Sequence, residues 1–245
     1  MDIQNQRYSS SLPFAEEGDL RIERSAFDHI ERGASLVIVG ITPGAQQRDL
    51  ADAAMASALA KGMTATAASR TAKFAASFGG AMRANLVRML DDVGAASLLG
   101  LDSLAAAFDP VTQGKVHFTS ALRYPVFHNG ANYNGQVSML SSPVLRSMIE
   151  NLLTEEVRQL PDAIWQPLGD KPVAALEHLV TLGILNAKQI APALPHPSGA
   201  NAERISFFLG NKAEKDLSPK TNAAKINAQR NAIDAFYAGR TGGKA

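Results

Sequence analysis

The run SLVIVG at residues 35–40 places four apolar residues in succession, Leu36 to Val39, three of them β-branched, before Gly40. With no polar alternation, neither face of such a strand can be left in water, so it must lie inside a sheet covered on both sides. Parallel sheets meet that requirement because their crossover helices coat both faces.

The rest of the chain supplies the alternation. The alanine-rich stretch from Gln46 to Ala76 favours helix. AMRANLVRMLDDVG (81–94) has apolar residues at Met82, Leu86, Met89, Leu90 and Val93, with Gly94 as C-cap. KVHFTSALRY (115–124) reads as a second strand, and SPVLRSMIENLLTEEVRQL (142–160) as an amphipathic helix opening at Ser-Pro. AIWQPLG (163–169) reads as a third strand and VAALEHLVTLG (173–183) as a further helix. KQIAPALP (188–195) is a fourth strand weakened by proline, and a helix follows near Ala202–Leu209. Ahead of the first strand we expect a polar arm and one short helix, AFDHIERG (26–33). No internal repeat or linker divides the chain. The expectation is one domain over 1–245, with a core at about 36–210 and a basic C-terminal helix and tail at 211–245.

Composition narrows the chemistry. The 245 residues contain no cysteine, which excludes disulfides, thiolate catalysis and cysteine-held zinc or iron–sulfur centres. No metal-ligand cluster or cofactor motif is present, so neither metal nor cofactor is expected. No long apolar run is suited to a bilayer, and the polar start MDIQNQRYSSS is not a signal peptide, which points to a cytoplasmic protein, read as a monomer. The formal net charge is +1, so nucleic-acid binding requires a local patch. The last 35 residues supply one: seven basic residues face three acidic ones, and Ile226, Ile233 and Tyr237 form a helical stripe for docking. The terminal GRTGGKA is expected to be loose.

In parallel α/β sheets the ligand sits at the carboxyl ends of the strands. The strand exits here are GITPG, TSALRYP, LGDKP and PHPSG, all carrying proline and small or polar residues. In VIVGITPGAQQ (37–47), Gly40 and Gly44 permit close backbone approach and Pro43 stiffens the turn. An alternative is purely structural, with Thr42 as a cap and Pro43 at the first helical position. In LPHPSGANAERISFF (194–208), Pro195 and Pro197 restrict the loop that carries His196. Ser198 is placed to cap the next helix, whose first N–H groups suit an anion. A fixed imidazole beside such groups suits a ligand with a phosphate and a developing negative charge. His128, in the turn-rich FHNGANYNG, is a further candidate for lining a site. The paired carboxylates Asp91–Asp92 and Glu155–Glu156 read as solvated helix faces.

These motifs resemble the uracil-DNA glycosylase superfamily. GITPG is similar to its first motif, and HPSGANAER to its second, with PSGAN close to the form found in the mismatch-specific branch. FGGAMRANLVRML (78–90) is similar to the segment carrying a base-stacking phenylalanine, and FTSALRYP (118–125) occupies the place of the base-reading strand. The resemblance covers roughly residues 36–210. It implies a three-layer α/β/α sandwich with a mainly parallel, about four-stranded central sheet. It also implies a metal-independent hydrolase of base excision and DNA repair, which flips a damaged or non-standard, uracil-like base and cleaves its N-glycosidic bond. On this reading His196 stabilises the leaving base and Thr42 positions water. Phe78 stacks on the base, and Ile41, Ser120 and Asn132 (or Asn134) line its pocket. Ser198, Gly199, Ala200, Asn201, Arg204, Pro43 and Gly44 hold phosphate and DNA.

Three positions depart from the family pattern. Thr42 replaces an acid or amide, leaving Asp49 as the nearest downstream carboxylate. Ser120 replaces a base-reading asparagine, whose paired donor and acceptor one hydroxyl does not reproduce. Ala200 stands where a wedge leucine would fill the vacated stack, favouring single-stranded or distorted DNA. The departures keep a second reading open: a nucleic-acid or nucleotide-binding protein, weak or inactive in catalysis, on the same fold. A small-molecule hydrolase is a third.

Overall fold

The computed structural model describes residues 13–79, 81–108 and 113–241. Backbone contacts divide the chain into two compact units, one built from Met1–Ile30, Ile41–Ser77 and Phe118–Gln159, the other from Glu31–Gly40, Phe78–His117 and Leu160–Ala245. The expected polar arm falls largely on residues 1–12, outside the described residues; of the expected loose tail GRTGGKA (239–245), residues 239–241 instead close a helix (Ala223–Thr241), and 242–245 lie outside the described residues.

The first unit contains a sheet that the sequence pattern did not announce. Strands β1 (Pro13–Glu17), β2 (Leu20–Glu23), β5 (Val126–His128) and β6 (Ala131–Asn132) pair in the order β1-β2-β5-β6, and their described pairings are antiparallel. FHNGANYNG is therefore a hairpin rather than a loop, with Asn129 and Gly130 both at positive φ in its turn. AFDHIERG is not helical. Tertiary partners take its polar groups instead: the Tyr124 hydroxyl donates to Asp28, and Lys73 Nζ donates to the His29 carbonyl at 2.6 Å.

Helices α1 (Ala45–Ala60) and α2 (Ala65–Ala76) form a hairpin, with the Thr64 hydroxyl accepting the Ala67 N–H to cap α2. Ala51, Ala58, Ala68, Ala72 and Ala76 pack with Met55 and Phe27, small side chains that allow the two helices to approach closely. α5 (Pro143–Met148) opens on Ser142 and Pro143 as expected, and one turn of π-helix (Ile149–Leu153) joins it to α6 (Thr154–Gln159). The widened turn frees the Leu152 carbonyl for Arg123, whose buried guanidinium also binds Glu156 at 2.8 Å and Glu155 at 2.9 Å. The carboxylate pair read as a solvated face is thus half buried: Glu156 is fully enclosed and Glu155 stays exposed.

The second unit carries the apolar strand. β3 (Leu36–Gly40) is buried at every position and pairs in parallel with β7 (Ile164–Pro167), Leu36 opposite Ile164. With β4 (Val116–Ser120), whose first two residues belong to this unit, the sheet order is β4-β3-β7. The proline-weakened fourth strand is reduced to two parallel bridges, Trp165 with Ile190 and Leu168 with Leu194. Gln166 supplies what Pro192 cannot. Its buried Nε2 donates to the Pro192 carbonyl at 2.9 Å and to the Pro167 carbonyl at 3.0 Å. Around the sheet lie α3 (Ala81–Asp92), the short α4 (Ala95–Leu98), α7 (Asp170–Thr181), α8 (Ala202–Phe208) and α9 (Ala223–Thr241). The expected stripe on α9 is buried, and the Tyr237 hydroxyl donates to Gln166 Oε1 at 2.8 Å. No helix among the described residues is long and apolar enough to cross a membrane.

Tyr237→Phe leaves the Gln166 oxygen buried without a donor. Equilibrium urea unfolding should show a loss of about 1–3 kcal/mol, the cost of such an orphaned group.

Candidate functional site

In the first unit, the turn after β3 is held by its own polar groups. The Thr42 hydroxyl donates to the Tyr124 carbonyl at 2.9 Å and accepts the Val126 N–H at 3.1 Å. It fastens this turn to the loop ahead of β5 and does not cap α1. That helix starts at Ala45, with Gly44 at the N-cap, so Pro43 lies outside it. The Gln47 side chain accepts the Gly44 N–H at 3.1 Å, and Asn132 Oδ1 accepts the Ala45 N–H at 3.0 Å. A Cβ on Gly44 would sit 3.3 Å from the Asn132 amide nitrogen, a tight contact that would require the Asn132 side chain to give by a few tenths of an ångström. Ile41 gives its carbonyl to the Leu122 N–H at 2.9 Å, and Ser120 is half-buried at the end of β4. Asp49 is tied to Arg48 at 2.8 Å, and Asn134 is exposed. His128 is half-buried in β5, where its backbone pairs with Leu20.

In the second unit, His196 follows the bridge from Leu194 to Leu168, with Pro195 and Pro197 both buried on either side. The Gly169 N–H reaches the Leu194 carbonyl at 2.8 Å, and Gly169 has φ +89°, a conformation that favours glycine. The Pro197 carbonyl is gripped by Asn85 Nδ2 of α3 at 2.9 Å. His196 Nδ1 accepts the Ser198 N–H at 3.3 Å. An accepting Nδ1 is unprotonated, so this bond favours the neutral ring with its proton on Nε2. Burial pushes the pKa below the usual 6.5 and favours the same neutral form.

Ser198 departs from its expected role. Its hydroxyl makes no cap bond; it accepts from Asn201 Nδ2 at 3.2 Å, and one 3₁₀ turn (Gly199–Asn201) precedes the seven-residue α8. Gly199 and Ala200 are exposed on that turn. Positive charge comes from side chains instead. A cavity of about 340 Å³ is lined by His196, Asn201, Arg204, Gly169, Lys220 and Lys225, among others. That volume lies at the small end of the range of ligand pockets. Phe78 is buried with φ +48°, a left-handed conformation uncommon outside glycine, and Arg83 Nε donates to its carbonyl at 3.2 Å. Among the described residues no cluster of metal-ligating side chains occurs.

Lys220, Lys225 and Asn85 were not singled out from the sequence as site residues. The basic excess of the last 35 residues was the available signal for the first two, but it does not say which lysine reaches a cavity.

The uncharacterized protein YoxB of Bacillus subtilis (strain 168) is 34% identical over 215 residues, covering 86% of this chain and 84% of the relative. The chain belongs to the YoxB family. A match of that length extends well beyond the short motifs at Thr42 and His196. No family model matches the chain, and no solved structure matches it.

Two measurements check the geometry. Asn132→Ala should cost about 1 kcal/mol in urea unfolding through the lost helix cap. His196 should titrate by NMR below 6.5, with the proton on Nε2 in the neutral form. The unfolded chain protonates this imidazole first, so the residue's contribution to stability is full above 6.5. It is lost as pH falls from there to the folded value, and His196→Asn should flatten that stretch of the stability curve.

Proposed function

We propose that this chain is a divergent member of the uracil-DNA glycosylase superfamily, a three-layer α/β/α protein that hydrolyses the N-glycosidic bond of a non-standard base in DNA. The observation that carries the reading is the setting of His196: Nδ1 accepts the Ser198 N–H between two buried prolines, an arrangement that, with burial, favours a neutral imidazole with Nε2–H as its remaining donor. As the bond between the sugar C1′ and the base nitrogen breaks, the electron pair leaves with the base and negative charge gathers on its carbonyl oxygen. A fixed neutral N–H donor stabilises that charge without first giving up a proton of its own. Water adds its oxygen to C1′ and releases a proton, which neutralises the departing base.

The reading places the catalytic weight on the leaving group. Thr42 has its hydroxyl proton committed to the Tyr124 carbonyl, and Asp49 is paired with Arg48, so neither serves as a strong base. The left-handed backbone at Phe78 costs about 1–3 kcal/mol, strain of a kind that clusters at binding sites, while its ring is buried and does not line the His196 cavity. Arg204 and Asn201, in the same cavity as His196, serve the phosphate.

The committed Thr42 hydroxyl also favours the second reading, in which a flipped base or nucleotide is bound and not cleaved. An oligonucleotide panel separates the two. Single- and double-stranded substrates bearing uracil, hypoxanthine, xanthine or oxidised bases are incubated, then treated with alkali to reveal abasic sites. Excision predicts strand breaks with at least one base, reduced about a hundred- to thousandfold in His196→Ala. Salt-dependent binding with no breaks on any substrate would replace excision by the binding reading.

A further inference from the structure

We propose that the segment Ser218–Gln229 forms a wall of the His196 cavity and that Lys220 holds a phosphate of the bound nucleotide there, together with Arg204. The proposal rests on reading this cavity as a nucleotide site. Lys220, Asn222, Lys225 and Gln229 line the cavity that His196 and Gly169 also line.

The charges around the cavity are not equivalent. Lys225 Nζ is neutralised by Asp170 at 2.6 Å, and Lys212 Nζ by Glu203 at 2.7 Å. Arg230 is held by Asp92 and Asp234. Lys220 Nζ has no such partner among the described residues. Arg204 is bound only to neutral oxygens, Asn201 Oδ1 at 3.0 Å and the Lys220 carbonyl at 3.3 Å. Asp170 also lines the cavity, but its carboxylate is taken by Lys225, so Arg204 and Lys220 are two lining cations without a carboxylate partner among the described residues. Beside them stand the amide donors of Asn222 and Gln229. A fork of guanidinium donors, an ammonium and neutral amides matches the oxygens of a phosphate.

The loop that carries Lys220 is also built to hold its shape. Glu203, the residue before Arg204 on α8, accepts from Lys212 Nζ, from the Ser218 N–H at 3.1 Å, from the Ser218 hydroxyl at 2.6 Å and from the Thr221 hydroxyl. Those bonds hold its carboxyl well below the usual carboxylate range. Residues 218–221 are thereby fixed from both ends of the turn that presents Lys220. Ordering this loop in advance lowers the entropy lost when a ligand is bound.

The test uses the full chain and three probes: a single-stranded oligonucleotide, a nucleoside monophosphate and inorganic phosphate. Lys215→Ala serves as the charge-matched control, since Lys215 is exposed on the same loop and does not line the cavity. Lys220→Ala should weaken oligonucleotide binding several-fold and reduce the slope of log K against log salt by about 0.7, the value for one lost single-strand phosphate contact. Lys215→Ala should change neither. Ser218→Ala with Thr221→Ala, a neutral change that cuts two ties to Glu203, should weaken binding at an unchanged salt slope. If the monophosphate shows the same dependence on Lys220, the phosphate belongs to the nucleotide in the cavity. If only the oligonucleotide shows it, the contact is to a neighbouring phosphodiester. Equal effects of Lys220→Ala and Lys215→Ala, or no binding of any probe by the wild type, overturn the proposal. Lys220-dependent binding without base release defeats excision and leaves this site standing. Base release with KM unchanged in Lys220→Ala defeats this site alone.

Discussion

The attachment of residues 190–194 to β7 is the constraint on which the His196 region depends. An extended segment with prolines at 192, 195 and 197 lacks the N–H groups for a regular ladder. Two bridges and three backbone bonds remain, from Ala191, Leu194 and Gly169. Gln166 adds a side-chain bond to the Pro192 carbonyl, and Tyr237 of α9 satisfies the other end of the same amide. The C-terminal helix is thereby coupled to the strand that delivers His196. Loss of that helix would expose a buried glutamine as well as an apolar face.

Proline serves two purposes in this segment. It prevents the edge from recruiting another strand, because it offers no donor. It also restricts the backbone on both sides of the imidazole, so that the Ser198 N–H can settle on Nδ1. The tautomer is thus set by the main chain and by burial. No carboxylate takes part in that bond, which distinguishes this ring from a histidine arranged to become a cation. A ring held in this way suits donation to developing charge and is a poor proton acceptor at Nδ1.

The apolar strand, the crossover helices and the docking stripe of α9 were legible because each depends on the period of its own apolar residues. The antiparallel sheet was not. Its strands are short, PFAEE and LRIE carry charge at alternate or adjacent positions, and β6 is two exposed residues. AFDHIERG has a helical pattern, but Tyr124, Lys73 and His117 claim its side-chain and backbone groups from far along the chain, and tertiary bonds override propensity. At the candidate site, His196 and the Pro-Ser-Gly turn could be read from residue types alone. Ser198 could not, because whether a hydroxyl caps a helix or accepts from Asn201 depends on a 3₁₀ turn that sequence does not encode distinctly. Asn132 shows the same limit: its amide suited base reading, and the fold spends its oxygen on the first N–H of α1.

Net charge is a weak guide to what this chain binds, because several of its cations are already paired with carboxylates where they stand. Arg123 is enclosed by Glu155 and Glu156, Arg48 by Glu23 and Asp49, and Arg230 by Asp92 and Asp234. Such pairs add nothing to the field felt by an approaching anion beyond a Debye length of about 8 Å at physiological salt. What distinguishes the His196 cavity is that Arg204 and Lys220 reach it without a carboxylate of their own. A total charge of +1 and a local site for anions are therefore compatible. On the proposed reading, an anionic ligand would be drawn in at short range, by donors already in position, and little by long-range steering.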